Sequence, residues 1–141
     1  MTTPSRYANG HARRKVRAWL KAQGFEPGAR VAIMSKNTAW WILSDLAIWM
    51  AGHVSVPLYP TLAPGTIRQI LEHSGSKLLF VGKLDGWLHM KPGIPAGLPC
   101  IAHPLADRDA LESYPRWDDV AAKAAPLQGQ AVRPADDLAT I

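Results

Sequence analysis

The chain has 141 residues, of which 48% are hydrophobic and 19% are charged, and its formal net charge is +5. This composition is typical of one globular domain and excludes a chain that is disordered throughout. The single cysteine, Cys100, excludes an internal disulfide framework and a multi-cysteine zinc site, and it fits a reducing compartment.

The sequence contains no recognisable targeting or membrane-spanning segment. Residues 1–10 are polar and lack the apolar region of a secretory signal. The most apolar stretch, residues 39–51, includes Ser44 and Asp45 and is shorter than the roughly 20 residues that cross a bilayer. We therefore expect a cytoplasmic location, with peripheral contact at the membrane as an open alternative.

The positive charge is concentrated at the start of the chain, where residues 1–30 hold seven basic groups and one acidic group. Apolar residues recur there at helical spacing, at Ala8, Ala12, Val16 and Leu20, and Gly24 follows. The pattern predicts a basic amphipathic helix. A solvated helix face on a larger domain is the favoured interpretation; binding to an anionic membrane or to nucleic acid is the alternative. No base-reading motif accompanies the charge, so no nucleic-acid partner is expected.

Residues 25–82 alternate between short apolar runs and helical patterns. Strands are predicted at residues 30–34, 53–59 and 77–81, and helices at residues 39–51 and 66–74, each followed by a glycine. Pro57 and Pro60 indicate that the second strand ends there or runs along a sheet edge. This order predicts an α/β fold with a parallel βαβ sheet and right-handed crossovers.

Residues 83–141 are less regular, because five prolines interrupt residues 92–115. A short strand is predicted at residues 99–102, a helix at residues 117–123, and the start of a buried strand at Leu138. The predicted organisation is therefore a basic amphipathic helix in residues 1–24, a βαβαβ core in residues 25–82, and an irregular proline-rich segment with the start of a strand in residues 83–141.

Few residues carry a recognisable chemical pattern. The chain lacks both G-x-G-x-x-G and G-x-x-x-x-G-K-[ST], and its nearest phosphate-loop candidate, residues 74–77, follows a helix and enters a strand, the reverse of the required order. Cys100 lies three residues before His103 and is interpreted as a small buried thiol rather than a nucleophile. Asp45 lies inside an apolar helix, where we expect a structural partner.

The remaining titratable residues do not form a site either. The histidines lack the i, i+4 spacing of metal ligands, and we expect surface or packing roles for them: His11, His53, His73, His89 and His103. The acid pairs at residues 118–119 and 136–137 begin predicted elements, where carboxylates stabilise backbone N–H groups. No residue is assigned as catalytic, cofactor-binding or metal-binding.

Several segments, taken together, resemble one family. Residues 28–41 are similar to the G-x-R-V-A-I-x-S-x-N-x-x-x-W region of AMP-forming acyl-CoA synthetases, and residues 49–62 to their A-G-x-x-x-V-P-L-x-P-T region. Residues 67–74 and 78–82 resemble the next helix and strand. The stretches Tyr59-Pro60-Thr61 and 83–87 favour the long-chain fatty acid–CoA ligase branch.

The resemblance implies an enzyme that uses Mg-ATP to convert a fatty acid to an acyl-adenylate and then transfers the acyl group to coenzyme A. In the family, a strand resembling residues 136–141 leads into the phosphate loop, so the chain is interpreted as an incomplete AMP-binding domain without activity of its own. Fatty acid, ATP and CoA would bind only in the full-length protein. The matched residues, among them Gly52, Pro57, Pro60 and Asn37 as a helix cap, imply structural roles.

Two further expectations accompany this interpretation. A partial sheet would expose unpaired edges, so self-association through sheet edges is expected. The alternative function is a free-standing binding module that uses the basic helix on an anionic membrane or on nucleic acid.

Overall fold

A computed structural model describes residues 6–123, which form a parallel sheet with helices on both of its faces. The helices are α1 (Arg6–Ala22), α2 (Ala39–Met50), α3 (Pro64–Ser74), α4 (Trp87–Met90), α5 (Arg108–Ser113) and α6 (Trp117–Lys123), and a 3₁₀ turn covers Lys91–Gly93. The strands are β1 (Arg30–Met34), β2 (Val54–Leu58), β3 (Leu78–Val81) and β4 (Cys100–Ala102). Among these residues no helix is long and apolar enough to cross a bilayer.

The sheet has the strand order β2-β1-β3-β4, and every pair is parallel. This confirms the predicted α/β class and the four strands that were predicted within residues 6–123. β1 begins and ends at the predicted residues, whereas β2 and β3 are shorter than predicted by one or two residues at their ends. β1 is the second strand in the order and pairs on both sides, which explains its near-continuous burial.

Alternate residues of each strand supply two separate cores. Val31, Ile33 and Phe80 face α1, α2 and α6, whereas Ala32 and Met34 face α3, α4 and α5. Both cores are filled by fully buried apolar side chains, so the sheet is covered on each face. The fold is therefore a three-layer α/β/α sandwich.

α2 begins at a different cap from the one predicted. Thr38, not Asn37, is the N-cap residue: its backbone is extended, with φ −140° and ψ 171°, and its Oγ1 accepts a hydrogen bond from the Trp41 N–H at 3.2 Å. Asn37 lies one residue too early to reach that donor position. Gly52, at φ +87°, follows the helix as predicted, since a left-handed residue suits the end of a helix.

Pro57 lies on the edge strand of the described sheet, as predicted. The Val54 N–H donates to the Ala29 carbonyl beside β1, so the N–H groups of alternate residues, 54, 56 and 58, point towards β1. Position 57 belongs to the outward row, and its missing N–H removes no ladder bond. The same proline breaks the row of donors that another strand would use along this edge.

Residues 83–116 are more regular than predicted. The proline-rich pattern indicates no helix there, yet the structure has α4, a 3₁₀ turn and α5. The prolines are compatible with these elements because they lie at element ends: Pro92 is at the first turn of the 3₁₀ element, and Pro104 and Pro115 lie on either side of α5.

α3 likewise begins two residues earlier than predicted, with Pro64 in its first turn. The predicted strand at Leu138 and the acid pair at 136–137 lie outside the described residues.

Candidate functional site

The carboxyl ends of β1, β3 and β4 meet at one edge of the sheet, which is where open parallel sheets hold their ligands. The chain leaves β1 towards β2 and leaves β3 towards β4 on the opposite side, so the crevice of this edge lies between β1 and β3. The loops that leave these strands contain Ser35 and Lys36 on one side and Gly82 and Lys83 on the other. This edge is the candidate functional site that the topology points to.

Hydrogen bonds of the protein itself bridge the crevice between β1 and β3. The Gly82 N–H donates to the Met34 carbonyl at 3.0 Å, and the Lys36 N–H donates to the Lys83 carbonyl at 2.9 Å. The Lys83 N–H in turn donates to Ser35 Oγ at 3.0 Å. These backbone donors are therefore engaged with the protein and do not point at an anion.

Gly82 allows this close approach because it has no side chain. A Cβ at this position would overlap Ser35 Oγ and Cβ and would lie 2.7 Å from His103 Nδ1. Both neighbours are buried, so neither has free space into which it could move. The glycine is thus required by packing, since its φ is not in the left-handed region.

His103 lies beneath Gly82 in a fully buried position. Its Nε2 is 2.8 Å from Ser44 Oγ on α2, and its ring lies 5.7 Å from that of Phe80 and 5.5 Å from that of Trp117. Burial lowers the pKa of His103 to about 3, because a charged imidazole would lose its hydration there. The ring is therefore neutral at physiological pH and links α2 to the end of β4.

Three features of this edge argue against catalysis by His103. The ring has no exposure to solvent, its Nε2 is engaged by Ser44, and its pKa is far below the operating range of a general base. Two charged groups nearby, Lys36 and Asp85, form an exposed ion pair with each other. Within residues 6–123, the carboxyl edge acts as a structural clamp between loops.

Cys100 and His103 face opposite layers of the sheet, which excludes a thiol–imidazole pair. Cys100 packs in the core beneath α3, α4 and α5, whereas His103 packs against Phe80 and Trp117 on the other face. Burial raises the pKa of Cys100 to about 12, and a hydrogen bond with Tyr114 opposes this only in part. The structure confirms the interpretation of Cys100 as a buried thiol.

A second polar cluster joins α4 to α5. Asp109 Oδ2 accepts hydrogen bonds from the Trp87 indole N–H and from Lys91 Nζ, both at 2.8 Å. The bond from Lys91, followed by that from Trp87, lowers the pKa of the carboxyl group. The sequence does not reveal this cluster because its members are 18 and 22 residues from Asp109 and share no motif.

The structure places the other candidate residues in structural positions. Asp45 accepts a hydrogen bond from Ser55 Oγ at 2.6 Å, the partner expected for an acid in an apolar helix. His53 is buried against the ring of Phe25, and burial followed by the charge of Lys21 lowers its pKa.

The remaining candidate groups do not converge on one site. His73 and His89 are exposed, as are the acids at 118 and 119 in the first turn of α6. Residues 74–77 join the end of α3 to the start of β3, with Gly75 in the left-handed conformation, which is the order that does not suit a phosphate loop. Among the described residues no three histidine, cysteine or acidic side chains converge as metal ligands.

Comparisons with known proteins point to one family. The model of the family described as "AMP-binding enzyme" matches residues 10–141. The 3-[(3aS,4S,7aS)-7a-methyl-1,5-dioxo-octahydro-1H-inden-4-yl]propanoyl:CoA ligase of Mycobacterium tuberculosis is 35% identical over 124 residues, which are 84% of this chain and 24% of that protein. Long chain acyl-CoA synthetase 1 of Arabidopsis thaliana is 40% identical over 62 residues, or 44% of this chain and 9% of that protein.

The fold of the chain is also found in a solved structure of a CoA ligase. A benzoate CoA ligase from Burkholderia xenovorans superposes with a TM-score of 0.70 at 20% identity, covering 92% of this chain and 25% of that one. At that identity the likeness concerns the fold. The chain thus spans about a quarter or less of the length of each of these three proteins.

Proposed function

The chain belongs to the family of AMP-binding enzymes, and from this premise we propose that it forms part of the AMP-binding domain of an ATP-dependent acyl-CoA ligase. The observation that carries the proposal is the family match over residues 10–141, which includes every described strand. Relatives whose names state a CoA ligase activity support it. In such a reaction the carboxylate attacks the α-phosphorus of ATP and releases pyrophosphate, and the thiol of CoA then displaces AMP to give the thioester.

In this proposal the chain contributes a scaffold. The clamp between the ends of β1 and β3 fixes the loops at the carboxyl edge, with Gly82 and His103 filling the space beneath them. Such a rigid edge would hold loops from the rest of a ligase in a fixed orientation. The described residues include no group of three ligands for Mg²⁺, so no step through the metal is assigned to them.

The chain by itself is proposed to lack ligase activity. Its 141 residues contain no glycine-rich phosphate loop of either recognised pattern. The imidazole of His103 at the carboxyl edge is buried, neutral and hydrogen-bonded to Ser44, and the thiol of Cys100 on the other face has a pKa of about 12. Because the substrate carboxylate and the CoA thiol are the nucleophiles of this reaction, the protein group that would have to come from elsewhere is one that binds the phosphates of ATP.

A long-chain fatty acid is the proposed acid substrate. The supporting observations are the names of the matched relatives, which include long-chain acyl-CoA synthetases of Arabidopsis thaliana and a long-chain-fatty-acid–CoA ligase of Mycobacterium tuberculosis. The stretch Tyr59-Pro60-Thr61, after β2, is the local feature that resembles this branch. ATP, Mg²⁺ and CoA would be the further requirements of the complete enzyme.

The test begins with the coding sequence that follows the Ile141 codon. The proposal expects that it encodes a Ser/Thr/Gly-rich loop, and that the longer polypeptide forms acyl-CoA from a long-chain acid, ATP and CoA. An immediate stop codon would contradict a role within a ligase polypeptide and would favour a binding module. Activity of the longer polypeptide with short or aromatic acids alone would refute only the choice of substrate.

A further inference from the structure

The loop between β3 and α4 contains the single Asp-Gly pair of the sequence, Asp85-Gly86. An aspartate side chain reacts most readily with the backbone when glycine follows it, because glycine has no Cβ to crowd the next nitrogen. The other aspartates precede larger residues, as Asp107 and Asp109 do. The sequence thus marks one position at which such a reaction is favoured.

Both reacting groups of this pair are accessible in the folded chain. The Asp85 side chain is 77% exposed. Apart from the adjoining residues, no described atom lies within 4 Å of the place that a Cβ would take on Gly86. Within residues 6–123 the Gly86 N–H donates no hydrogen bond. The nitrogen therefore has neither a steric block nor a competing partner in this part of the chain.

The ion pair with Lys36 is the alternative role for Asp85. Lys36 Nζ contacts Asp85 Oδ2, and the Lys36 side chain is itself 42% exposed. Water and salt screen an ion pair between two exposed side chains, so the pair holds its partners weakly. The Asp85 carboxyl group is therefore released for part of the time, and the ion pair does not protect it from reaction.

The local backbone also favours the reaction. Residues 85 and 86 form a bend outside any helix or strand, with φ −114° and ψ 36° at Gly86. The reaction at this bend breaks no helical or strand hydrogen bond. Asp109, by contrast, lies inside α5, and its carboxylate is bonded to Trp87 and Lys91.

We propose that Asp85-Gly86 is a site of spontaneous isoaspartate formation in the 141-residue chain. The backbone nitrogen of Gly86 attacks Cγ of the protonated Asp85 carboxyl group, and the amide hydrogen leaves with the carboxyl OH as water. The product is a five-membered succinimide ring. Addition of water to the backbone carbonyl carbon of residue 85 then breaks its bond to the Gly86 nitrogen, and the chain remains linked through Cγ. Addition at Cγ restores aspartate, and neither route consumes a further reactant.

The product changes the loop beside the carboxyl edge. The backbone gains one atom between Leu84 and Trp87, which are both buried and hold the two ends of the bend. The new carboxylate is attached to the former main chain, so the side-chain carboxylate that pairs with Lys36 is lost. The inference is independent of the proposed ligase role.

Peptide mapping of the aged chain tests the proposal. The folded 141-residue chain is incubated in mildly acidic buffer, sampled over time and digested with trypsin. Electron-transfer fragmentation of the peptide that begins at Leu84 distinguishes isoaspartate from aspartate, which have equal mass. We expect isoaspartate to accumulate at residue 85 and not at Asp107 or Asp109. Gly86→Ala should abolish the accumulation, because its methyl group crowds the attacking nitrogen.

Gly65→Ala is the matched control. Gly65 also has open space around it and a φ outside the left-handed region, but it follows a proline instead of an aspartate. This variant should accumulate isoaspartate like the unmodified chain. A synthetic peptide of residues 82–88, incubated in parallel, verifies that the product is detected, and circular dichroism verifies that each protein stays folded during the incubation.

Four results would overturn the proposal. The first is absence of isoaspartate at residue 85 of the folded chain while the synthetic peptide forms it, and the second is equal accumulation in Gly86→Ala and the unmodified chain. The third is equal accumulation at residues 85, 107 and 109, which would show that the loop has no special reactivity. The fourth is isoaspartate confined to residue 9, where loss of ammonia from Asn9 before Gly10 yields the same type of product with a change in mass.

Discussion

Acid should destabilise the folded chain because His103 must remain neutral inside it. In the unfolded chain this imidazole takes up a proton near its ordinary pKa of 6.5, whereas burial lowers the pKa in the folded chain to about 3. The unfolded state therefore binds the additional proton throughout this window, so stability falls as the pH falls below 6.5 and is regained on returning to neutral pH.

The size of the effect follows from the two pKa values. One extra proton on the unfolded state changes the free energy of unfolding by about 1.4 kcal/mol per pH unit, so the loss between about pH 8 and about pH 5 is on the order of 2 kcal/mol. His53 acts in the same direction, since burial and the charge of Lys21 lower its pKa as well.

Urea unfolding followed by tryptophan fluorescence measures this dependence at several pH values. His103→Gln keeps a polar side chain near Ser44 and removes the titration, so its free energy of unfolding should depend on pH less steeply by about 1.4 kcal/mol per unit in this window. His53→Gln is the matched control and should retain the contribution of His103. An equal slope in His103→Gln and the unmodified chain would refute the burial of a neutral imidazole at this position.

Two pairs of substitutions and one thiol reagent test three separate parts of the structure. Gly82→Ala should cost about 3 kcal/mol in urea unfolding, because its Cβ overlaps buried neighbours, whereas Gly86→Ala, with open space around it, should be near neutral; equal stabilities would contradict the packing. Thr38→Ala should lower the free energy of unfolding by about 1 kcal/mol because it removes the N-cap side chain of α2, whereas Asn37→Ala should lower it hardly at all. The reverse order of the two losses would identify Asn37 as the N-cap. Cys100, with its pKa of about 12, should react with iodoacetamide about a thousandfold more slowly in the folded than in the urea-unfolded chain at neutral pH, and rapid labelling of the folded chain would contradict its burial.

The strands and long helices could be predicted because local patterns determine them. β1 is a continuous apolar run between turn residues, and α3 shows helical spacing that ends at Gly75. The short helices α4 and α5 could not be predicted, because a four- or six-residue helix has little periodicity and depends on tertiary contacts such as those of Asp109.

The arrangement at the carboxyl edge could not be predicted either. Ser44 and His103 are 59 residues apart, and nothing in either neighbourhood indicates that they pair. The requirement for Gly82 likewise depends on two loops that approach only in the folded sheet. The sequence predicts that Cys100 and His103 do not form a catalytic pair, and the structure places them on opposite faces of the sheet. This placement follows from their spacing of three residues, because successive side chains of a strand point to opposite faces. Self-association through sheet edges stays a prediction.

ATP–pyrophosphate exchange tests the central claim most directly, since it reports adenylate formation without CoA. The assay compares the 141-residue chain with the longer polypeptide encoded from the same start, each with Mg-ATP and a long-chain fatty acid. A scaffold without a phosphate loop predicts exchange by the longer polypeptide and only background exchange by the chain alone. Exchange by the isolated chain that depends on the fatty acid and persists after further purification would contradict the account.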